Sequence, residues 1–544
     1  MAPWGLSEAL RGAPQLGWDS PAVAGFLLVA AIAVYLLTRE SRLDMAKVPG
    51  PWRKALPLVG NLLDLITPDH HRQLVTWANE FGGIYRLKMP FEDVLIVTEP
   101  QAVADIMGRG DRSLDKSQAA YGHVSQMVSA QGHPNLLTSA SDEKWKKVRK
   151  AVAVSFSMRH IRPKFGIVLE RVNDMVKKLG EGAETGQSID MDRAALRVTL
   201  DVIGLAAFGH DFECVKQGVP NRDHLLRVLP RCFTEVELRM MNPFRAVKAL
   251  PRMLFRNGDK GKKSFDRFQA EMTRLLEEMK ARGPPAEDDF SIGAQLLRLE
   301  KEGGVSTERI LSEIGILFVE GFETTGHTIS WTLFCLATNP GAQERVAEEL
   351  DAAGLLSNPG QTARELEFQD LNKLTYLACC IKEAMRMYPV VSVANARITG
   401  KPTCVGPYTI PAGVLTAVPL YALHNTKHNW SNAGQFMPER WHDVPTETYT
   451  YNSKRNDGAA GITFMPFNHG PRNCVGQSLA KMEVVTVLAK LLGSFQFRLA
   501  PEMGGVEGIT RRESTHLTLQ TVGTQGIRMI LTRRGQLQTE FHVA

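Results

Sequence analysis

The chain has 544 residues, of which 44% are hydrophobic and 22% charged, with a formal net charge of +6. That balance is ordinary for a folded protein, and it is too weakly basic to point to nucleic acid; no zinc-finger or other nucleic-acid motif is present, so that class is set aside. The seven cysteines are odd in number and irregularly spaced, which argues against a disulfide scaffold and for a reducing compartment. No two of them stand at zinc or iron–sulfur spacing, so any metal role rests on a single cysteine.

Residues 1–20 form a short lead. Residues 21–38 are predicted to be a transmembrane anchor: Pro21 to Leu37 carries no charge and spans roughly 25 Å as a helix, with Trp18 and Tyr35 placed for the two interfaces. Arg39, Arg42 and Lys47 follow it and only Arg11 precedes it, which puts the rest of the chain in the cytosol. A cleaved signal peptide fits less well, because the apolar run is long and Glu8 and Asp19 sit in its lead. Residues 39–61 read as a stiff spacer, since Pro49, Pro51 and Pro57 cannot continue a helix. Residues 62–544 lack repeats, low-complexity tracts and Gly/Ser linkers, and are predicted to be one large domain, mostly α with small β-sheets.

Residues 84–98 predict a strand hairpin turning at Pro90–Asp93. Helical periodicity dominates from about 142 to 282, most clearly where Phe268, Met272, Leu275, Leu276 and Met279 form one stripe. A helix of about 30 residues is predicted from a Ser306 or Thr307 cap to Asn339, where Pro340 stops it. Further helices are expected from Leu371 to Tyr388 and from near Cys474 through Leu492, with short strands at Tyr408–Ile410 and in the C-terminal tail.

Phe464 to Gly476 is the most informative stretch. Two glycines and two prolines make a tight loop, and Cys474 is expected where that loop enters a helix, whose N–H groups stabilise a thiolate. Gly476 leaves room behind the cysteine for a flat group, and Arg472 supplies a cation for a carboxylate. On this chemistry alone a buried structural cysteine is an equal alternative.

The pattern Phe467-x-x-Gly470-x-Arg472-x-Cys474-x-Gly476 resembles the haem-binding signature of the cytochrome P450 family, and the resemblance extends from the proline-rich spacer to the C-terminus. It implies that Cys474 ligates the iron of haem b, with Phe467, Gly470, Arg472 and Gly476 shaping the haem loop. Trp145 and Arg149 are similar to a Trp-x-x-x-Arg pair whose side chains reach the haem propionates, and Arg397 to a further propionate-binding arginine. Lys146, Lys147 and Lys150 then face outward, as a docking surface for an acidic flavoprotein or as a merely solvated face. Glu383, Arg386 and Arg440 are implied as a structural network bracing the haem loop.

On the long helix, Gly321, Glu323 and Thr324 match the family's oxygen-activation motif. The resemblance implies that Gly321 lets the helix open to dioxygen, Thr324 offers it a hydrogen bond and Glu323 relays protons. Glu320 stands where most members carry a small residue; it either adds a carboxylate to the pocket or turns away. His327, one turn on, reads as a packing residue.

The function implied is a haem-thiolate monooxygenase that inserts one atom of O2 into a lipophilic small molecule by hydroxylation or epoxidation. No nucleotide-binding fingerprint is evident, so electrons are expected from NADPH through a separate flavoprotein reductase, with the protein anchored in the endoplasmic reticulum membrane. Two alternatives stay open: a haem-thiolate isomerase or dehydrase acting on peroxides without O2 or reductase, and a non-catalytic haem-binding protein.

Overall fold

The computed structural model describes residues 43–90, 92–217, 225–241, 258–393, 395–451, 461–521 and 526–535. The candidate anchor at residues 21–38 lies outside them, as do residues 452–460 of the polar loop from about His442 to Gly461. Among the described residues no helix is long and apolar enough to cross a membrane.

Six helices carry the site: α1 (Glu143–Ser155), α2 (Met191–Phe208), α3 (Gly258–Ala281), α4 (Thr307–Thr338), α5 (Thr375–Met387) and α6 (Gln477–Ser494). Helix α4 is the spine. It runs 32 residues from a Ser306 cap, whose hydroxyl accepts the Arg309 amide, to Asn339, and Pro340 opens the next helix. It is apolar nearly all round and buried along most of its length, as a helix packed on every side must be. Helices α2, α3, α5 and α6 surround it. The stripe of α3 falls as expected, with Phe268, Met272, Leu275, Leu276 and Met279 all buried.

Two predicted boundaries shift. Helix α5 begins at Thr375, because residues 368–372 form a separate 3₁₀ turn closed by a Glu367–Asp370 capping box. Helix α6 begins at Gln477, so Cys474 sits on the loop that precedes it.

The sheets are small. The predicted hairpin is β1 (Ile84–Lys88) and β2 (Asp93–Val97), antiparallel in register. With β3 (Asp115–Lys116), β5 (Ala396–Ile398) and β8 (Leu415–Ala417) it builds a five-stranded sheet in the order β1-β2-β8-β5-β3. A hairpin of β6 (Thr403–Val405) and β7 (Tyr408–Ile410) lies beside it. Strand β4 (Ile189–Asp190) joins β12 (Arg528–Arg533) and β9 (Phe495–Leu499), and β10 (Glu513–His516) with β11 (Thr518–Thr521) makes a last hairpin. The mostly helical class is therefore as expected.

Candidate active site

The Cys474 loop is closed by its own backbone: the Cys474 amide donates to the Phe467 carbonyl at 2.8 Å and the Asn473 amide to Gly470 at 3.1 Å. Phe467 packs edge-on against Tyr449 at 5.1 Å. Gly470 is required here for a reason other than cofactor contact. Its φ is +71°, and a Cβ would lie 2.1 Å from the Met107 carbonyl oxygen, so the loop packs backbone to backbone on its neighbour. At Gly476 the situation is reversed: a Cβ would meet only ordinary contacts, with Phe156 at 3.6 Å and the Cys474 Sγ at 3.9 Å. The space its missing side chain leaves belongs to a cavity, not to a protein neighbour.

That cavity lies between the cysteine loop and α4. Cys474, Phe467, Arg472, Asn473 and Gly476 line one wall, and Glu320, Gly321, Glu323 and Thr324 another, with Trp145 and Arg149 from α1. The exposed surface of Cys474 faces this cavity. Burial pushes its thiol up to about 11, with Glu320 adding to the rise while Arg149 and the amides of Gly476 and Gln477 oppose it. The amides at the start of the helix thus favour the thiolate, as expected, but less than burial opposes it. The helix starts three residues later, and its amides do not outweigh desolvation. A cation bonded to sulfur would be needed to deprotonate it.

The cations around the cavity are deeply placed. Arg397 on β5 and Lys116 on β3 are cross-strand partners, so their side chains share one face of the sheet. Both are buried, and burial lowers the Lys116 pKa. Like charges set directly opposite on a sheet repel one another. Lys116 leans on Tyr121, with Nζ 3.2 Å from the phenolic oxygen, but Arg397 has Nε and Nη1 buried without any hydrogen-bond partner among the described residues. Arg149 contributes a third cation, its Nη2 donating to Asn473 Oδ1 at 2.6 Å.

Arg472 and Trp145 line the cavity and also bond within the chain. Arg472 donates to the Ser141 hydroxyl at 3.1 Å and to the carbonyls of Leu136, Leu137 and Ser139 at 2.9–3.3 Å, and it stacks over the Trp145 ring at 4.2 Å. The Trp145 indole N–H is itself committed to the Leu136 carbonyl at 3.0 Å. Both residues tie the cysteine loop to the 136–141 segment rather than offering free donors. That segment is fixed in turn to α4, where the buried Glu313 accepts the Leu136 amide at 2.9 Å.

On α4, Glu320 faces the cavity, and burial raises its carboxyl to about 7. Of its two expected orientations, the first is found. Thr324 also lines the cavity, with its hydroxyl donating to the Glu320 carbonyl at 2.8 Å. Gly321 also lines the cavity and has a packing role besides the one expected. The helix is unbroken through it, and a Cβ would lie 2.6 Å from Ile203, so the missing side chain lets α2 pack close. Glu323 accepts from Thr518 at 3.1 Å, and burial raises its pKa. His327 is no mere packing residue: it lies between Asp192 and Glu323, with Nδ1 2.8 Å from Asp192 and Nε2 3.6 Å from Glu323. Burial works to lower its pKa, but the two carboxylates overcome this and hold it up to about 10.

Away from the cavity, Glu383, Arg386 and Arg440 meet. Arg386 donates to both Glu383 oxygens at 3.0 and 2.9 Å, and Arg440 Nε adds a bond at 3.1 Å. Trp441 donates to the same carboxylate at 3.0 Å, and its ring packs on Phe464, the first residue of the cysteine loop, at 4.5 Å. Lys146 and Lys147 are exposed beside Glu143 and Glu302, and Lys150 is exposed as well.

Sequence reasoning missed Lys116, Tyr121, Leu517 and Thr518. Lys116 is placed by a two-residue strand that pairs with β5 far along the chain, and Tyr121 by the helix Gln118–Val128 that follows it. Leu517 turns the β10–β11 hairpin at a φ of +64° and lines the cavity beside Thr518. No local pattern marks them.

The cytochrome P450 family model matches residues 49–521. Among curated proteins, the chain is similar to the chloroplastic carotene epsilon-monooxygenase of Arabidopsis thaliana, at 29% identity over 85% of this chain and 81% of that protein. It is similar to cytochrome P450 3A6 of Oryctolagus cuniculus at 25% identity, over 92% and 97%, and to the chloroplastic protein LUTEIN DEFICIENT 5 of Arabidopsis thaliana at 25%, over 84% and 72%. A match that runs through the cysteine loop, the long helix and the sheet alike leaves one conclusion: this chain belongs to the cytochrome P450 family, and it is an oxidoreductase of the haem-thiolate monooxygenase class.

Proposed function

We propose that Cys474 is the iron ligand and that the chain inserts one oxygen atom of O2 into a lipophilic small molecule. The observation that carries this is the cavity itself: a lone cysteine on its wall, an open face above Gly476, and beside it a buried Arg397 with two nitrogens that have no hydrogen-bond partner among the described residues. These residues fit haem b. A flat group with two carboxylates would give Arg397, Lys116 and Arg149 further anionic partners, and its iron would hold the Cys474 sulfur as a thiolate.

Bound haem supplies dioxygen activation, in which two electrons and two protons yield one oxygenated product and one water. The chain's part is to bind, orient and deliver protons. Thr324 holds a hydroxyl at the cavity wall, and Glu323, one residue before it, holds a carboxyl that stays protonated more readily than usual. That pair favours the monooxygenase over an isomerase or dehydrase, which needs no proton delivery. The cavity's apolar lining, including Val124, Ile203, Phe233 and Leu420, suits a lipophilic substrate. Electrons come from NADPH by way of a flavoprotein reductase that docks on the α1 lysines.

Residues 21–38 anchor the protein in the endoplasmic reticulum membrane, residues 39–61 act as the spacer, and residues 62–544 make the catalytic domain. The exposed Leu56, Leu58, Leu63 and Ile66, at the end of the spacer and just beyond it, support a membrane-facing surface there.

The test is the absorption spectrum of the reduced, carbon monoxide-bound protein. Wild type is expected to show the thiolate-specific Soret shift, and Cys474→Ala is expected to lose it. A wild type without the shift sinks the proposal.

A further inference from the structure

We propose that His327 and Asp192 carry protons from the protein surface to Glu323, acting through that carboxyl as positioning residues of the proton supply. This rests on the monooxygenase reading above and adds an inlet to it. The inlet is built from three elements. Glu323 and His327 share one face of α4, four residues apart, and Asp192 lies in the first turn of α2, whose helix packs along α4. Glu323 lines the cavity. Asp192, at the other end, keeps 14% of its side chain exposed, whereas His327 between them keeps 1%. The row therefore runs from solvent to the cavity through one buried imidazole.

Its geometry is directional. Asp192 accepts from Nδ1 at 2.8 Å, a bond that fixes the ring and leaves Nε2 aimed at Glu323. Nε2 is buried, 3.6 Å from the Glu323 oxygen and without a hydrogen-bond partner among the described residues. A purely structural brace would be expected to close that gap, because a buried unpaired donor costs about 1–3 kcal/mol. The charges that act on the ring are those of Asp192 on α2 and Glu323 on α4, while Thr518 from β11 donates to the same Glu323 Oε1 that faces Nε2, and together the carboxylates keep the ring protonated.

The transfer balances. After Glu323 has given its proton into the cavity, the His327 Nε2–H bond breaks and a Glu323 O–H bond forms. The neutral ring keeps its Nδ1 proton; rotation about its Cβ–Cγ bond then presents the bare Nε2 to Asp192, where a solvent proton entering past Asp192 restores the imidazolium. No oxidant or reductant takes part in this step.

Two measurements on the holoenzyme test it. In the carbon monoxide-bound ferrous protein labelled with 15N-histidine, His327 is expected to be an imidazolium at pH 8 in wild type and to lose that charge in Asp192→Asn. A neutral wild-type ring overturns the proposal, and this reading needs no His327 variant. With reductase and NADPH, His327→Gln, which keeps a donor for Asp192 but cannot pass a proton, is expected to slow NADPH consumption about tenfold, raise its solvent isotope effect and shift its pH profile. An unchanged isotope effect and pH profile overturn the proposal. Failure here is separable from failure of the functional reading: a carbon monoxide spectrum with the thiolate shift and an unaltered isotope effect remove only the inlet, whereas a missing shift removes the monooxygenase reading itself.

Discussion

Two buried clusters of charge lie on either side of the cysteine loop, and they are finished to different degrees. Behind the loop, the Glu383 carboxylate receives Arg386, Arg440 and Trp441, and Arg386 spends its remaining donors on the carbonyls of His424, Ala433 and Gln435. In front of it, Arg397 has two nitrogens unpartnered among the described residues, and Lys116, which lines the cavity, is set opposite it with a tyrosine for company. Desolvating a charge is tolerated only when a partner repays it. The first cluster is repaid within the chain and is architecture. The second is not, and that marks where a ligand completes the protein.

The sharpest way to break this contrast is to cut each cluster once. Glu383→Ala strands two guanidinium groups and should destabilise the protein by about 3–5 kcal/mol, read as a fall in the urea midpoint. Arg397→Leu should act in the opposite direction on the haem-free protein, stabilising it by about 1–3 kcal/mol by removing an unpaired buried charge, while weakening haem binding. A haem-free protein destabilised equally by both would show that the clusters do not differ in kind.

The loop glycines sharpen the contrast at a smaller scale. Gly470→Ala forces a left-handed residue against the Met107 carbonyl and should cost about 1–3 kcal/mol with or without haem. Gly476→Ala should leave the haem-free fold within about 0.5 kcal/mol and reduce haem affinity, because its Cβ enters the cavity and not a neighbour. Thr324→Ala should have the smallest effect on stability, again within about 0.5 kcal/mol, since its hydroxyl bonds only its own helix. Its consequence should appear instead as a lower yield of product per electron, measured against peroxide released.

The same contrast explains what the sequence made legible. Local signals carried far: Ser306 and Pro340 bracket α4, and the spacing from Phe467 to Gly476 identifies the loop. Where a residue's partner is remote, local reading failed. Gly321 matches a motif, yet its small size answers to Ile203 on another helix, and Gly470 answers to Met107. Trp145 and Arg472 were expected to reach haem carboxylates, and the structure shows that they also donate to carbonyls of the 136–141 segment. Lys116 is placed by a two-residue strand with no periodicity to see. His327 gains its meaning from Asp192, 135 positions earlier in the chain.

The central claim is that the unpaired cations of the cavity wait for the carboxylates of haem. Comparing the affinity of the haem-free protein for haem and for haem dimethyl ester tests it most directly, because esterification removes both charges and leaves the ring and iron intact. The account predicts that wild type binds haem at least about tenfold more tightly than the ester, and that Arg397→Leu narrows this preference. Equal affinity of the wild type for the two would contradict it.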